Sequence, residues 1–309
     1  MRLVTRSDFD GLVCAVLLHY AGLITEYKFA HPKDLQDGLV DVGKDDILAN
    51  VPYVKGCGMW FDHHSSEHER LGDIVFTGAS RLAPSCARVI WDYYGGHKKF
   101  PEKFDAMMEA VDRVDSGSLT AEEIAIPEGW NLVGMIMDPR TGLGRYKDYH
   151  ISNYQLMLDL IKHCAKKSVE EILALPDVKE RTVRYFEQQK LFEDMLKRCS
   201  TIRDNIIVTD LRGEEEIYSG NRFTVYALFP ECNISILVIW GLKKQNVAFT
   251  VGHSILNRTS TVDVGSLMLK YGGGGHHKVG TCQVAAEKAE ATLGEILAAM
   301  AEVPKIYHQ

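Results

Sequence analysis

Apolar positions near the start of the chain are grouped in a way that predicts a strand over 2–4, a polar loop over 5–10, and a helix over 11–18, Gly11-Leu12-Val13-Cys14-Ala15-Val16-Leu17-Leu18. Ile47-Leu48-Ala49 and Gly58-Met59-Trp60-Phe61 read as two further buried strands, each ending in polar residues. Strands and helices alternating in this way predict a parallel sheet, whose ligands sit beyond the carboxyl ends of the strands. From 81 to 114 the apolar spacing is helical. Thr120, with Glu123 three positions later, then predicts a capped helix start that Pro127 soon ends. Residues 177–197 follow Pro176, contain no Gly or Pro, and are rich in Glu, Lys, Arg, Gln and Leu, which predicts one long helix. Beyond it, 205–209, 224–229, 234–239 and 246–251 are β-rich, so a second sheet is expected.

A length of 309 residues suits two domains. The expected fold class is α/β: an N-terminal parallel-sheet domain over 1–175, a connecting helix over 176–199, and a smaller C-terminal α/β domain over 200–309. Hydrophobic residues at 46% and charged residues at 25% exclude a disordered chain. A net charge of −7 weighs against coating long nucleic acid, but a small anionic substrate remains compatible if a bound divalent metal supplies positive charge. Charge arrives too early for a signal peptide, and no apolar run approaches the roughly 20 residues that span a bilayer. The seven cysteines are scattered without a CxxC pair, so a reduced cytoplasm is expected and a cysteine-built zinc site is not. Cys14, inside the first helix, reads as core rather than nucleophile. A homodimer is left open.

Four constellations carry candidate chemistry. Ser7-Asp8-Phe9-Asp10-Gly11 puts two carboxylates one residue apart where a strand hands over to a helix; in an extended segment both would face one cavity, and a cation would offset their repulsion. By itself the pattern also suits a turn or a helix cap. Asp62-His63-His64 follows a strand, where one imidazole can ligate a metal and a neighbouring carboxylate can fix its tautomer; a polar loop is the alternative. Asp112-Arg113-Val114-Asp115 places acids at the end of a helical stretch, where the macrodipole disfavours them. Finally, Tyr271-Gly272-Gly273-Gly274-Gly275-His276-His277-Lys278, preceded by Asn257-Arg258, reads as a backbone cradle for an anion with cationic donors beside it, or as a linker.

In this order and spacing the motifs resemble the DHH phosphoesterase family with its C-terminal companion domain, DHHA1, over nearly the whole chain. The resemblance implies a metal-dependent phosphohydrolase, related to nanoRNases and exopolyphosphatases, acting on a short phosphate-containing substrate in a cleft between two domains. The substrate would be an oligoribonucleotide, a dinucleotide or polyphosphate. Asp8, Asp10, His63 and Asp115 would ligate metal, Asp115 being a better match than Asp112 to the family's fourth motif. Asp62 would support them and His64 would face the phosphate. Arg258, Gly273, Gly274, Gly275, His276 and His277 would grip the substrate. Carboxylates with one imidazole suit Mn²⁺, then Mg²⁺. Two departures fall on the metal site. Arg6 stands where the family commonly has a ligating histidine, and Asn50 where it has an aspartate bridging two metals. Asn50 remains a candidate ligand, one metal or two stays open, and Arg6 is expected to bind a substrate phosphate oxygen. The alternative function is a nucleotide-binding sensor that keeps the fold without the chemistry.

Overall fold

The computed structural model describes residues 1–301 apart from 65, 66, 68, 69 and 73; residues 302–309, expected to close the C-terminal domain, lie outside the described residues. The chain forms two compact units, Met1–Glu187 and Gln188–Gln309.

In the first unit, β1 (Arg2–Thr5), β2 (Glu26–Phe29), β3 (Asp46–Ala49), β4 (Met59–Asp62) and β5 (Gly78–Ser80) form a parallel sheet in the order β2-β1-β3-β4-β5. Alternate side chains serve opposite faces. Leu3, Ile47 and Phe61 are fully buried, while Val4, Leu48 and Trp60 join Leu35, Val40 and Val51 in a separate cluster. Both faces are therefore covered, as a parallel sheet requires. Each large apolar side chain buried there contributes about 1.5–3 kcal/mol. The helices are α1 (Phe9–Tyr20), α2 (Pro32–Gln36), α3 (Cys86–Tyr93), α4 (Asp105–Asp115), α5 (Ala121–Ala125), α6 (Gly129–Met137), α7 (Asn153–Cys164) and α8 (Val169–Leu173). Helix α1 is buried from Phe9 through Leu18 and packs against α3, α4, α6 and α7. In this strand order the connections leave β1 and β3 in opposite directions, which opens a crevice beyond their carboxyl ends.

Helix α9 (Pro176–Cys199) leads into the second unit. Its sheet, in the order β10-β11-β9-β8-β7-β6, comprises β6 (Ser200–Arg203), β7 (Ile206–Asp210), β8 (Ile234–Trp240), β9 (Val247–His253), β10 (Gly274–His276) and β11 (Val279–Val284). Only β7 and β8 run parallel. Alternate residues Ile234, Ile236, Val238, Val247, Phe249 and Val251 make the core with α11 (Val264–Leu269) and α12 (Ala289–Ala301).

Three expectations change. Helix α1 begins at Phe9, so Asp10 lies in its first turn rather than in an extended segment. Segment 224–229 is not a strand: Thr224–Leu228 is a helix, α10, started by an Asn221 turn whose side chain accepts the Phe223 amide at 2.9 Å. That local hydrogen bond overrides the β-propensity of Thr, Val and Tyr. The edge strands β2 and β5 carry no sequence signal, because Glu-Tyr-Lys-Phe and Gly-Ala-Ser lack the apolar run of a buried strand.

Candidate metal centre

The motifs follow the carboxyl ends of β1, β3 and β4. Asp8 is the N-cap of α1, its Oδ1 accepting the Gly11 amide at 2.9 Å. Gly11 is required here because a Cβ would collide with the Arg6 carbonyl oxygen. Asp10, one residue into the helix and 1% exposed, reaches across to the N-terminus of α3, where its oxygens accept the Cys86 amide at 2.9 Å and the Ala87 amide at 2.8 Å. A helix N-terminus suits a carboxylate.

His63 has one ring nitrogen engaged: Nδ1 donates to the Ala83 carbonyl at 3.1 Å. In the neutral ring Nε2 then carries the lone pair. Among the described residues that atom is buried without a hydrogen-bond partner, 3.3 Å from Asp115 Oδ2 and 3.8 Å from Asp10 Oδ2. Asp115 is the last residue of α4. Donor atoms of Asp10, His63 and Asp115 all lie within 4.8 Å of one another. Burial, then the charge of Asp115, push the Asp10 carboxyl up to about 7, with Asp8 adding and His63 opposing. Burial and Asp8 also raise Asp115, against His63, His64 and Arg140. Two mutually repelling carboxylates, Asp10 buried and Asp115 half-buried, and an orphaned imidazole nitrogen with its tautomer fixed from behind fit a hard divalent cation.

Around this cluster each remaining acid has its own partner. Asp62, fully buried, holds His64 by Nδ1 at 2.9 Å and by its backbone amide at 3.2 Å. Burial works to lower the His64 pKa, but the bond and charge of Asp62, with Asp115, outweigh it and hold the imidazolium above the ordinary range. Asp8 faces Arg6 Nε at 3.1 Å through Oδ2 and Asn50 Nδ2 at 3.1 Å through Oδ1. Asn50 has φ 56°, a left-handed conformation that asparagine tolerates. Its amide thus donates to Asp8. Asp112 is tied elsewhere: it accepts Ser85 Oγ at 2.6 Å and Arg88 Nε at 2.8 Å, fixing the cap of α3. Cys14 is fully buried and burial pushes its thiol well up.

Arg140 is a site residue that sequence reasoning misses. Asp138 grips it in a bidentate pair at 2.7 and 2.8 Å. Burial opposes its charge, but Asp138, with Asp8 and Asp115, holds its pKa up. A lone Asp-Pro-Arg carries no motif; only the fold brings that turn to the acids.

In the second unit, Arg258 Nε donates to the Ile255 carbonyl at 2.9 Å, and the His277 ring meets His253 edge to face at 5.9 Å. The glycine run is not a free cradle throughout. Gly274, Gly275 and His276 pair with Thr281, Gly280 and Val279 as a hairpin. A Cβ on Gly273 or Gly275 would collide with the backbone of β11, and Gly275 has φ 156°, whereas Gly274 has open space.

No family model and no curated protein matches the chain. Among solved structures, a pGpG-specific phosphodiesterase, PggH from Vibrio cholerae, is 50% identical over 97% of this chain and 98% of its own, with a TM-score of 0.82. RecJ of Thermus thermophilus in complex with Mn²⁺ is 14% identical, with a TM-score of 0.55, over 98% of this chain and 52% of RecJ. A manganese-bound exonuclease RecJ is 15% identical, TM-score 0.52, over 98% and 91% of the two chains. The RecJ structures share the fold. With the motif order, the two-sheet architecture and half of its residues in common with PggH, this chain belongs to the DHH phosphoesterase family.

Proposed function

We propose that this chain is a divalent-metal-dependent phosphodiesterase that hydrolyses a linear dinucleotide, pGpG or a close analogue, to mononucleotides. The observation that carries this reading is 50% identity to a pGpG-specific phosphodiesterase over 97% of the chain. The convergence of Asp10, His63 and Asp115 supports it independently. These residues would hold the metal, Mn²⁺ in the first instance. When bound, a divalent cation supplies Lewis acidity and an activated water near neutral pH.

Hydrolysis forms a bond from the water oxygen to phosphorus and breaks the bond from phosphorus to the 3′ oxygen, which takes a proton. His64, whose imidazolium form Asp62 favours, donates a hydrogen bond to a phosphoryl oxygen and steadies charge developing there. Asp62 acts by orienting His64. Arg258, Gly273, Gly274, Gly275, His276 and His277 are assigned to gripping the substrate. Chain acidity weighs against long nucleic acid as the substrate, and scattered cysteines without a CxxC pair favour the cytoplasm. The sensor alternative rested on Arg6 and Asn50, and neither interrupts the three-donor cluster.

The test is mononucleotide or phosphate release from pGpG, pApA, a cyclic dinucleotide, tripolyphosphate and pyrophosphate, with and without Mn²⁺. Turnover of pGpG above the others is expected. Preference for tripolyphosphate or pyrophosphate would replace the dinucleotide reading, and silence across the panel by folded, metal-titrated protein would favour the sensor.

A further inference from the structure

The acids of this pocket are matched to cations in a pattern that leaves room for one dication. Asp62 is spent on His64, and Asp138 on Arg140. Asp8 is engaged on both oxygens: Oδ1 by Gly11 N at 2.9 Å and Asn50 Nδ2 at 3.1 Å, Oδ2 by Arg6 Nε at 3.1 Å. Asp10 and Asp115 face the His63 ring nitrogen; Asp10 also accepts the Cys86 and Ala87 amides, but among the described residues neither acid is paired with an arginine or lysine. One divalent ion balances their charge.

A second dication beside Asp8 would have to displace the guanidinium or sit against it, and would find an amide N–H where it needs a lone pair. Charge repulsion at such separations, in a pocket poorly screened by water, is severe. We infer that the centre takes a single divalent cation, and that Arg6, seated on Asp8, stands in for a second one as the cationic contact for a substrate phosphoryl oxygen. The Arg6 side chain is 33% exposed, and Asp8 is its one ion-pair partner among the described residues. Only Nε meets Asp8, so the terminal nitrogens of the guanidinium fork are not used in that ion pair. A planar fork matches two oxygens of one phosphate, which a point charge does not. Asn50 serves the same arrangement: a neutral amide donates to Asp8, where a carboxylate would repel it and call for another cation.

This inference rests on the phosphodiesterase reading for its substrate, but its test needs no turnover. Chelator-stripped protein is titrated with Mn²⁺ by calorimetry, and bound manganese is counted and examined by electron paramagnetic resonance. One tightly bound ion per chain with an uncoupled spectrum is expected for the wild type and for Arg6→Lys, which keeps the charge at Asp8. The Arg6→His, Asn50→Asp double variant should take up a second ion and show an exchange-coupled pair. Two tight ions in the wild type overturn the inference while leaving the phosphodiesterase reading intact. No tight ion in folded wild type overturns both. A double variant that folds and still binds only one ion overturns the assignment of Arg6 as the excluding cation; if it does not fold, the wild-type and Arg6→Lys counts decide.

Discussion

Asp10 has two duties. Its oxygens accept the Cys86 and Ala87 amides at the head of α3, and they face His63 and Asp115. Asp10→Asn keeps the shape but replaces a charged acceptor with an amide. Mn²⁺ affinity should fall by more than the roughly 10–100-fold that loss of an outer partner costs. Calorimetric titration reads this, and unchanged affinity would remove Asp10 from the metal. Asp112→Ala is the contrast. It leaves Ser85 and Arg88 without their acceptor, so chemical denaturation should show a loss of about 1–3 kcal/mol. Mn²⁺ stoichiometry should not change, and a changed stoichiometry would shift the ligand role to Asp112. The sequence marks both acids but cannot separate them, since a spacing of three puts both on one helix face. What separates them is Ser85 and Arg88, distant along the chain. Arg140 was illegible for the same reason.

At the scale of elements, the glycine run shows how local geometry divides a motif. Gly275→Ala places a side chain at φ 156° against the Val279 carbonyl, so the second unit should lose about 1–3 kcal/mol. Gly274→Ala meets open space and should stay within about 0.5 kcal/mol. Urea denaturation of the two variants checks this, and equal losses would contradict the packing described. His253, at the end of β9, gives the same unit a pH dependence. Burial lowers its pKa; the Val262 carbonyl, 2.9 Å from Nε2, opposes this, while His277 and Lys278 add to it. The unfolded chain therefore binds the proton more readily, and stability should fall as pH drops below the ordinary histidine pKa of about 6.5. Denaturation at pH 7.5 and 5.5 should show that fall, and His253→Gln should reduce it; an equal fall in the variant would assign it elsewhere. Buried strands and long helices were legible from periodicity. The α10 helix was not, because one Asn221 hydrogen bond outweighs the three β-prone residues Thr224, Val225 and Tyr226, and β2 and β5 lacked the apolar signal of buried strands.

At the scale of the whole molecule, an acidic chain binds an anionic substrate by concentrating positive charge at one place. That place is the crevice beyond β1, β3 and β4, where the charges of His64 and Arg140 act on Asp115 and Arg6 pairs with Asp8. Motif order along the chain was enough to point to this region, since two of the motifs follow strands of one parallel sheet, while Asp115 closes a helix and the glycine run lies in the second unit. Division of the acids between metal and arginine was not, because it depends on side chains that meet only in the fold. The central claim is metal-dependent hydrolysis of a linear dinucleotide. It is tested most directly by following pGpG by chromatography with chelator-stripped protein before and after Mn²⁺ is restored. GMP should form only once the metal is present. Equal GMP formation without metal, or tight pGpG binding with no GMP at saturating Mn²⁺, would contradict it.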